Sequence, residues 1–303
     1  MTPSLAARPA PFARGLGRAA VPLLFLLPSF VLYLVFALIP IEETARLGFY
    51  RWDGYSPQMP FVGLANYVAM VEDWKFWNAL WHNVEWTAMT LVLAVGVALA
   101  LAAVLARLRR GRTFFRVTFF LPNVVALSVV AVIWGQLYNP LIGPINLILR
   151  RVGLPGLAHL WLGEPATVLP AINVANSWQS YGFYMVILLA GLQSIDATIY
   201  EAAIVDGAGE WQLFRHITLP SLRNVMNLVL ILAFINALRG FAMVWVMTQG
   251  GPVVASDLLA TYIYRAAFVE NQLGPAAATS VTLSVLVVAT TALFNRLREE
   301  EAS

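Results

Sequence analysis

Two groups of residues in this 303-residue chain stand out for the chemistry they could do. The first sits inside otherwise apolar stretches: Trp178, Gln179, Ser180 and Tyr181 in a row, then Asn236 and Arg239 further on. Amides and hydroxyls in apolar sequence cost free energy unless they face protein or a water-filled cavity, and an arginine costs more still. Such groups either hydrogen-bond helices to one another or line a passage for a polar solute. The second group is EAAIVDGAGEWQLFRHITLP, Glu201–Pro220, which interrupts the apolar pattern with acids, small residues, glycines and a basic pair. His82, His159 and His216 stand far apart with no HxxxH or HxH spacing, so no metal site is expected. The absence of cysteine removes disulfides, Cys-type zinc sites and thiol catalysis. With no nucleophile–base spacing either, the chain does not read as an enzyme.

The elements that must carry these groups follow from composition. At 60% hydrophobic and 12% charged residues, the chain has too little polar surface for a soluble domain, which runs at about 45–50% apolar and 25% charged. An all-α integral membrane fold is expected. Six stretches are long enough to cross roughly 30 Å of hydrocarbon: Ala19–Ile41, Val84–Ala106, Val117–Tyr138, Val168–Leu189, Ser221–Met247 and Pro275–Phe294. They divide the chain into an N-terminal tail (1–18), a six-helix transmembrane domain (19–295) and a C-terminal tail (296–303). The first apolar run is too long for a signal-peptide core and lacks a small-x-small cleavage site, so it reads as an uncleaved span.

Basic residues set the orientation. Twelve of the nineteen lie in the tails and loops on one side, six on the other, and Arg239 falls within a span. Both termini are therefore expected in the cytoplasm. The run RLRRGRTFFR, Arg107–Arg116, is a short positive-inside loop on this reading, and no nucleic-acid partner is expected. Trp52, Trp74, Trp77 and Trp81 on the opposite side fit interfacial anchors in contact with lipid, although that surface could also receive a soluble partner.

In this orientation Gln193–Arg223 is the longest cytoplasmic loop. Thr198 precedes Glu201 by three, the spacing of a capping box, and a short helix is expected from Ile199 to Val205. Gly207 can take positive φ and stop it. A second short segment places Trp211 and Phe214 on one face, and Pro220 suits the first turn of the next span. The loop is expected to be a compact helix–turn–helix, either a docking surface or a loop folded onto its own helix ends.

The spacing Glu201-Ala202-Ala203, Gly207, Ile217-Thr218-Leu219-Pro220 resembles the EAA loop of binding-protein-dependent ABC importer permeases. LQSI upstream of YEAAIVDGA, MTQGGP (Met247–Pro252), YIYRAAF (Tyr262–Phe268) and the following LGPAAATSV run are similar to the carbohydrate-uptake branch, the maltose and glycerol-3-phosphate importer type. The likeness covers roughly residues 19–295. It implies a permease subunit in a bacterial or archaeal cytoplasmic membrane that forms half of a passage for a sugar. The implied partners are a second, homologous permease subunit, two ATPase subunits and an extracytoplasmic solute-binding protein. No cofactor is implied in this chain. It has no G-x-x-x-x-G-K-[ST] sequence, so ATP and magnesium would belong to the ATPase. The resemblance assigns Glu201, Ala202, Ala203, Asp206, Gly207 and Ala208 to ATPase coupling. It assigns Trp178, Gln179, Ser180, Tyr181, Asn236 and Arg239 to substrate, the aromatics stacking on a pyranose ring and the amides bonding its hydroxyls. Relatives often read Lys-x-Phe-Asp where this chain reads Arg239-Gly240-Phe241-Ala242. Two alternatives stand beside this reading. One is the same importer class carrying glycerol-3-phosphate or a related phosphodiester, with Arg239 as its supporting feature. The other is an ion-coupled secondary transporter, which the lack of acids deep in any span disfavours.

Overall fold

The computed structural model describes residues 24–108 and 110–300, the side chains of 294, 295 and 297–300 excepted. The N-terminal tail, the start of the first expected span, Arg109 and residues 301–303 lie outside the described residues. The described chain is helical, and its one β-bridge, Tyr50 to Phe61, belongs to no strand.

Among the described residues the chain forms thirteen helices, four short segments (Pro155–Leu157, Phe214–Thr218, Leu219–Ser221 and Arg265–Val269) aside. In chain order they are α1 (Leu24–Leu47), α2 (Ala65–Glu72), α3 (Trp74–Arg107), α4 (Arg112–Val124) and α5 (Leu127–Leu137). Next come α6 (Pro144–Arg151), α7 (Pro165–Gln193), α8 (Ala197–Val205) and α9 (Glu210–Leu213). The last four are α10 (Arg223–Leu238), α11 (Ala242–Thr248), α12 (Leu259–Tyr264) and α13 (Leu273–Glu300). Helices α1, α3, α10 with α11, and α13 are each long and apolar enough to cross a membrane. The pairs α4–α5 and α7–α8, bent by 96° and 70°, bring the number to six when each counts as one crossing.

The expected third span, Val117–Tyr138, is therefore not one helix. Pro122 has no N–H to donate back to the preceding turn, and Val125 and Ala126 take extended backbone, which ends α4 and starts α5 in a new direction. The fifth expected span is likewise interrupted between α10 and α11. The second is longer than Val84–Ala106, because Asp73 caps α3 well upstream, accepting from the Lys75 N–H at 2.9 Å, and the helix starts at Trp74. The final helix runs through the first residues assigned to the C-terminal tail, as far as Glu300.

The core forms around α7. Ala94, Ala98 and Ala102 recur every four residues on α3 and are fully buried, so the α3 backbone lies close to Tyr184, Met185, Leu188 and Leu189 of α7. A second cluster joins Trp86 of α3, Val130 of α5, Ile172 of α7 and Val244 of α11. The polar residues that made α7 the least apolar expected span turn inward. Asn173 donates to the Trp86 carbonyl at 3.1 Å and to Thr90 Oγ1 at 2.9 Å, and Ser177 Oγ donates to Asn173 Oδ1 at 3.2 Å. A central helix surrounded by protein tolerates groups that a lipid-facing one would not.

Helix α1 differs, since its most apolar window buries nothing. Asn66 of α2 secures the chain just past its C-terminal end by donating to the carbonyls of Gly48 and Tyr50, each at 2.9 Å. In the loop between α11 and α12 the buried Asp257 pairs with the partly buried Arg265 just past α12, and Thr261 Oγ1 donates to Asp257 Oδ1 at 2.6 Å. Burial pushes the Asp257 carboxyl above the usual carboxylate range, against the opposing pull of Thr261 and Arg265. Arg265→Met leaves a buried carboxylate without its cation, a loss of about 3–5 kcal/mol. We expect a lower unfolding midpoint for the detergent-solubilised variant. A raised folded-state pKa penalises the ionised form, so the deficit should grow as pH rises from about 4 and shrink in acid. A midpoint equal to wild type at neutral pH would show that the pair is not structural.

Candidate functional site

The break in the expected fifth span builds the site. Helix α10 ends at Leu238, Arg239 and Phe241 leave helical geometry, and α11 begins at Ala242. A helix that stops beside other apolar helices strands carbonyls that need a donor. Asn83 of α3, 1% exposed, supplies it: its amide donates to the Leu238 carbonyl at 3.3 Å, and its oxygen accepts from the Leu259 N–H at 2.8 Å. Gly240 fits at the break because a Cβ there would stand 3.0 Å from Trp86 Nε1 and 3.1 Å from Leu258 Cδ1.

Beside the break lies a cavity of about 510 Å³, within the usual range for small-molecule sites. Helix α7 contributes Gln179 and Ser180, and the break contributes Asn236 and Arg239. Four of the six expected substrate residues are thus brought together. Trp178 and Tyr181 are not among the lining residues. Trp178 points away and packs edge-on to Trp134 of α5 at 5.8 Å, and Tyr181 packs against Phe119 of α4 at 6.5 Å. Each helical residue turns about 100°, so neighbours of Gln179 and Ser180 face other directions.

The cavity also holds groups that the sequence reading missed. Asn176 and Phe183 share the Gln179–Ser180 face at three- and four-residue spacing, a pattern visible in the sequence. Asn123 arrives from the end of α4, and its carbonyl accepts from Gln179 Nε2 at 3.4 Å. Trp86 and Thr90 come from α3, and Tyr184 is hydrogen-bonded to Asn236 through their side chains. Amides, hydroxyls and aromatic faces in this mixture suit a polyhydroxylated solute. The lining includes no acidic residue.

At the other end of α3 and α7 lies the interrupting loop. Helix α8 starts at Ala197, two residues earlier than expected, and its cap is Asp196, which accepts from the Thr198 N–H at 3.0 Å. The expected Thr198–Glu201 capping box is not formed, because Asp196 stands at the N-cap and Thr198 is already inside the first turn. That backbone bond keeps the Asp196 carboxyl below the usual carboxylate range. Gly207 does end the helix, at φ +83°, and Ala208 N–H reaches back to the Ala203 carbonyl at 2.9 Å. Trp211 and Phe214 meet at 5.8 Å as expected. Arg107 of α3 pairs with Glu210 and so holds the loop to the bundle, and within the loop the Tyr200 hydroxyl bonds Thr218 Oγ1 at 2.9 Å. Glu201, Ala202, Asp206 and Gly207 lie on the exposed side, Ala203 and Ala208 are half-buried, and Val205 is 87% exposed.

Residues 93–299 match the model of the family described as binding-protein-dependent transport system inner membrane component. The chain belongs to that family. Among its relatives, the probable ABC transporter permease protein YurN of Bacillus subtilis is 36% identical, covering 89% of this chain and 92% of its own. The trehalose/maltose transport system permease protein MalF of Thermococcus litoralis is 34% identical over 89% and 91%. The sn-glycerol-3-phosphate transport system permease protein UgpA of Agrobacterium fabrum is 32% identical over 92% and 95%. A solved bacterial ABC transporter involved in import of the acidic polysaccharide alginate shares the fold. Its chain aligns with a TM-score of 0.84 at 23% identity, covering 96% of this chain and 99% of its own. For this inner membrane component the cavity and the exposed loop are thus parts of a permease fold.

Asn83→Leu removes both the donor to Leu238 and the acceptor for Leu259, stranding two backbone groups at about 1–3 kcal/mol each. We expect a lower unfolding midpoint and weaker solute uptake in the assembled transporter; wild-type values for both would show that the break does not depend on Asn83. Trp178→Ala should change the apparent KM for solute less than Gln179→Leu does, since only Gln179 lines the cavity. The reverse order would place Trp178 in the passage.

Proposed function

We propose that the chain forms half of the passage of an ATP-driven importer for a mono- or oligosaccharide handed over by an extracytoplasmic solute-binding protein. The cavity carries this reading. Gln179, Ser180, Asn236 and Arg239 converge with Asn123, Asn176 and aromatic rings where a span is broken, as in transport proteins whose interrupted helices line a site. A second, homologous permease subunit closes the passage from the other side. Both termini and the α8–α9 loop face the cytoplasm, where basic residues are concentrated. There a separate ATPase subunit docks on Glu201, Ala202, Ala203, Asp206, Gly207 and Ala208, and each of the two permeases engages one ATPase. The exposed apolar side chains of α8, Ile204 and Val205, give the ATPase a surface to bury. Arg107–Glu210 passes displacement of the loop to α3, and Tyr200–Thr218 ties α8 to the segment that leads into α10. This chain binds no nucleotide.

The test is uptake of labelled oligosaccharide by the assembled complex in proteoliposomes. ATP on the loop side and binding protein on the other should both be required; ion-gradient uptake by this chain alone would overturn the reading. Gly207→Val forces a β-branched residue to positive φ at about 1–3 kcal/mol. It should cut uptake by about tenfold, the rate equivalent of ~1.4 kcal/mol, while ATP hydrolysis by the complex persists. Undiminished uptake would remove the loop from coupling.

A further inference from the structure

A second recess, of about 380 Å³, lies between α5, α6 and α7 at their extracytoplasmic ends. It cannot share an occupant with the solute cavity. Val174 lines the recess and Phe183 lines the cavity. At about 100° per residue the two stand half a turn apart on α7. A second permease that completes the passage meets the Phe183 side, so the recess opens on the opposite flank, toward the bilayer. Its walls are aromatic rings whose polar tips are already used. The Tyr138 hydroxyl donates to the Ala171 carbonyl at 2.9 Å, and Trp161 Nε1 donates to Asn146 Oδ1 at 2.7 Å. Thr167 Oγ1 donates to the Trp161 carbonyl at 3.0 Å. A sugar or a peptide brings polar groups that need partners, and these are spent; a hydrocarbon chain needs none. Asn146, 3% exposed, also donates to the His159 carbonyl at 3.0 Å, which fixes α6 beside the recess.

The charge on α6 is as one-sided as the recess is apolar. No acidic residue occurs from Asn139 to Gly163, and Arg150 and Arg151 stand side by side in the last turn of α6. They do so on the face of the membrane where basic residues are otherwise sparse, against the usual asymmetry. Leu147, Ile148 and Val152 beside them are 42%, 59% and 62% exposed. A helix that turns both leucine-like side chains and arginines outward suits the boundary between acyl chains and headgroups. Hydrocarbon gains little by leaving lipid for an apolar recess, because lipid tails are as apolar as leucine. Selection must therefore come from the headgroup. Arginine offers phosphate a charge-assisted, two-pronged hydrogen bond, and two adjacent arginines favour a headgroup that stays negative overall.

We propose that this flank is a site for one anionic phospholipid of the outer leaflet, with an acyl chain in the recess and the headgroup phosphate held by Arg150 and Arg151. The site is separate from the solute passage. It rests on the importer reading only for the place of the second permease.

The experiment is native mass spectrometry of the complete detergent-solubilised transporter, supplied with phosphatidylglycerol or phosphatidylcholine. The lipid lost on substitution reads this site. Wild type should hold phosphatidylglycerol there about tenfold or more tightly than phosphatidylcholine, the usual scale for hydrogen bonds to a charged group. Arg150→Gln combined with Arg151→Gln should retain one phosphatidylglycerol fewer than wild type, and the corresponding pair of lysine substitutions should retain it. Val174→Trp fills the recess and should lose the same lipid with both arginines in place. An unchanged lipid count in the glutamine pair or in Val174→Trp overturns the proposal, as does equal retention of the two lipids. Loss of binding-protein docking in the glutamine pair, with the lipid count unchanged, also overturns it by assigning the arginines to that protein. An assembly that sheds the second permease overturns it by assigning them to the subunit interface. The measurement needs neither ATP nor solute, so failure of the importer reading shows separately, as uptake that does not depend on ATP.

Discussion

A backbone carbonyl that loses its helical partner among apolar helices has no water to turn to, and this chain is organised around one place where that happens. Ending α10 at Leu238 exposes such a group, and the Asn83 amide meets it. The other half of the same amide fixes Leu259, the first residue of α12. One buried side chain therefore decides where the fifth span breaks and how the following loop leaves it. The cavity depends on both. An unbroken helix would carry Arg239 onward along its axis, and it would have no room at Gly240 for Trp86 to approach.

The stretch of α3 around Asn83 does more than cap. Asn78 donates to the Val254 carbonyl at 3.1 Å, and His82 Nδ1 lies 3.0 Å from the Asp257 carbonyl. A carbonyl only accepts, so this contact is a hydrogen bond when the imidazole proton sits on Nδ1. These bonds clamp a loop in which Val253 and Val254 hold positive φ, a conformation that β-branched residues avoid. One and two turns further along the same helix, Trp86 and Thr90 line the cavity. The loop and the cavity are thus built on a single rigid segment.

Some of this was legible in the sequence. Gly207 announced the end of α8 because only glycine takes positive φ freely, and Trp211 and Phe214 met because their spacing is helical. The six apolar stretches coincide with the four to six candidate crossings, and the polar content of the fourth marked the central helix. Other features depended on packing that no local pattern encodes. Asn123 entered the cavity because Pro122 and the extended residues after it bend the third span by 96°, whereas its hydropathy reads as continuous. Asp196 displaced Thr198 as the cap because two good capping residues stood two apart, and spacing to Glu201 favoured the wrong one. Trp178 stands outside the cavity lining for a simpler reason: a helix brings together every third and fourth residue, not residues adjacent in sequence. Applied to Gln179, that rule selects Asn176 and Phe183, and it leaves Trp178 to Trp134.

The two ends of the molecule answer to different constraints. At the cavity, groups are held by buried hydrogen bonds that resist displacement, because losing one leaves a polar atom stranded. At the α8–α9 loop, Arg107 and Glu210 meet at the surface with both side chains more than half exposed, where an ion pair is worth about 0–1 kcal/mol. The Tyr200–Thr218 bond is half-buried and neutral. A loop secured this lightly can shift against α3 without breaking the core, while the alanine face of α3 keeps α7 in register with it. The bend of α4–α5 and the break of α10–α11 border the cavity beside that packed pair, so the cavity is walled partly by rigidly packed helices and partly by the two places where helical geometry lapses.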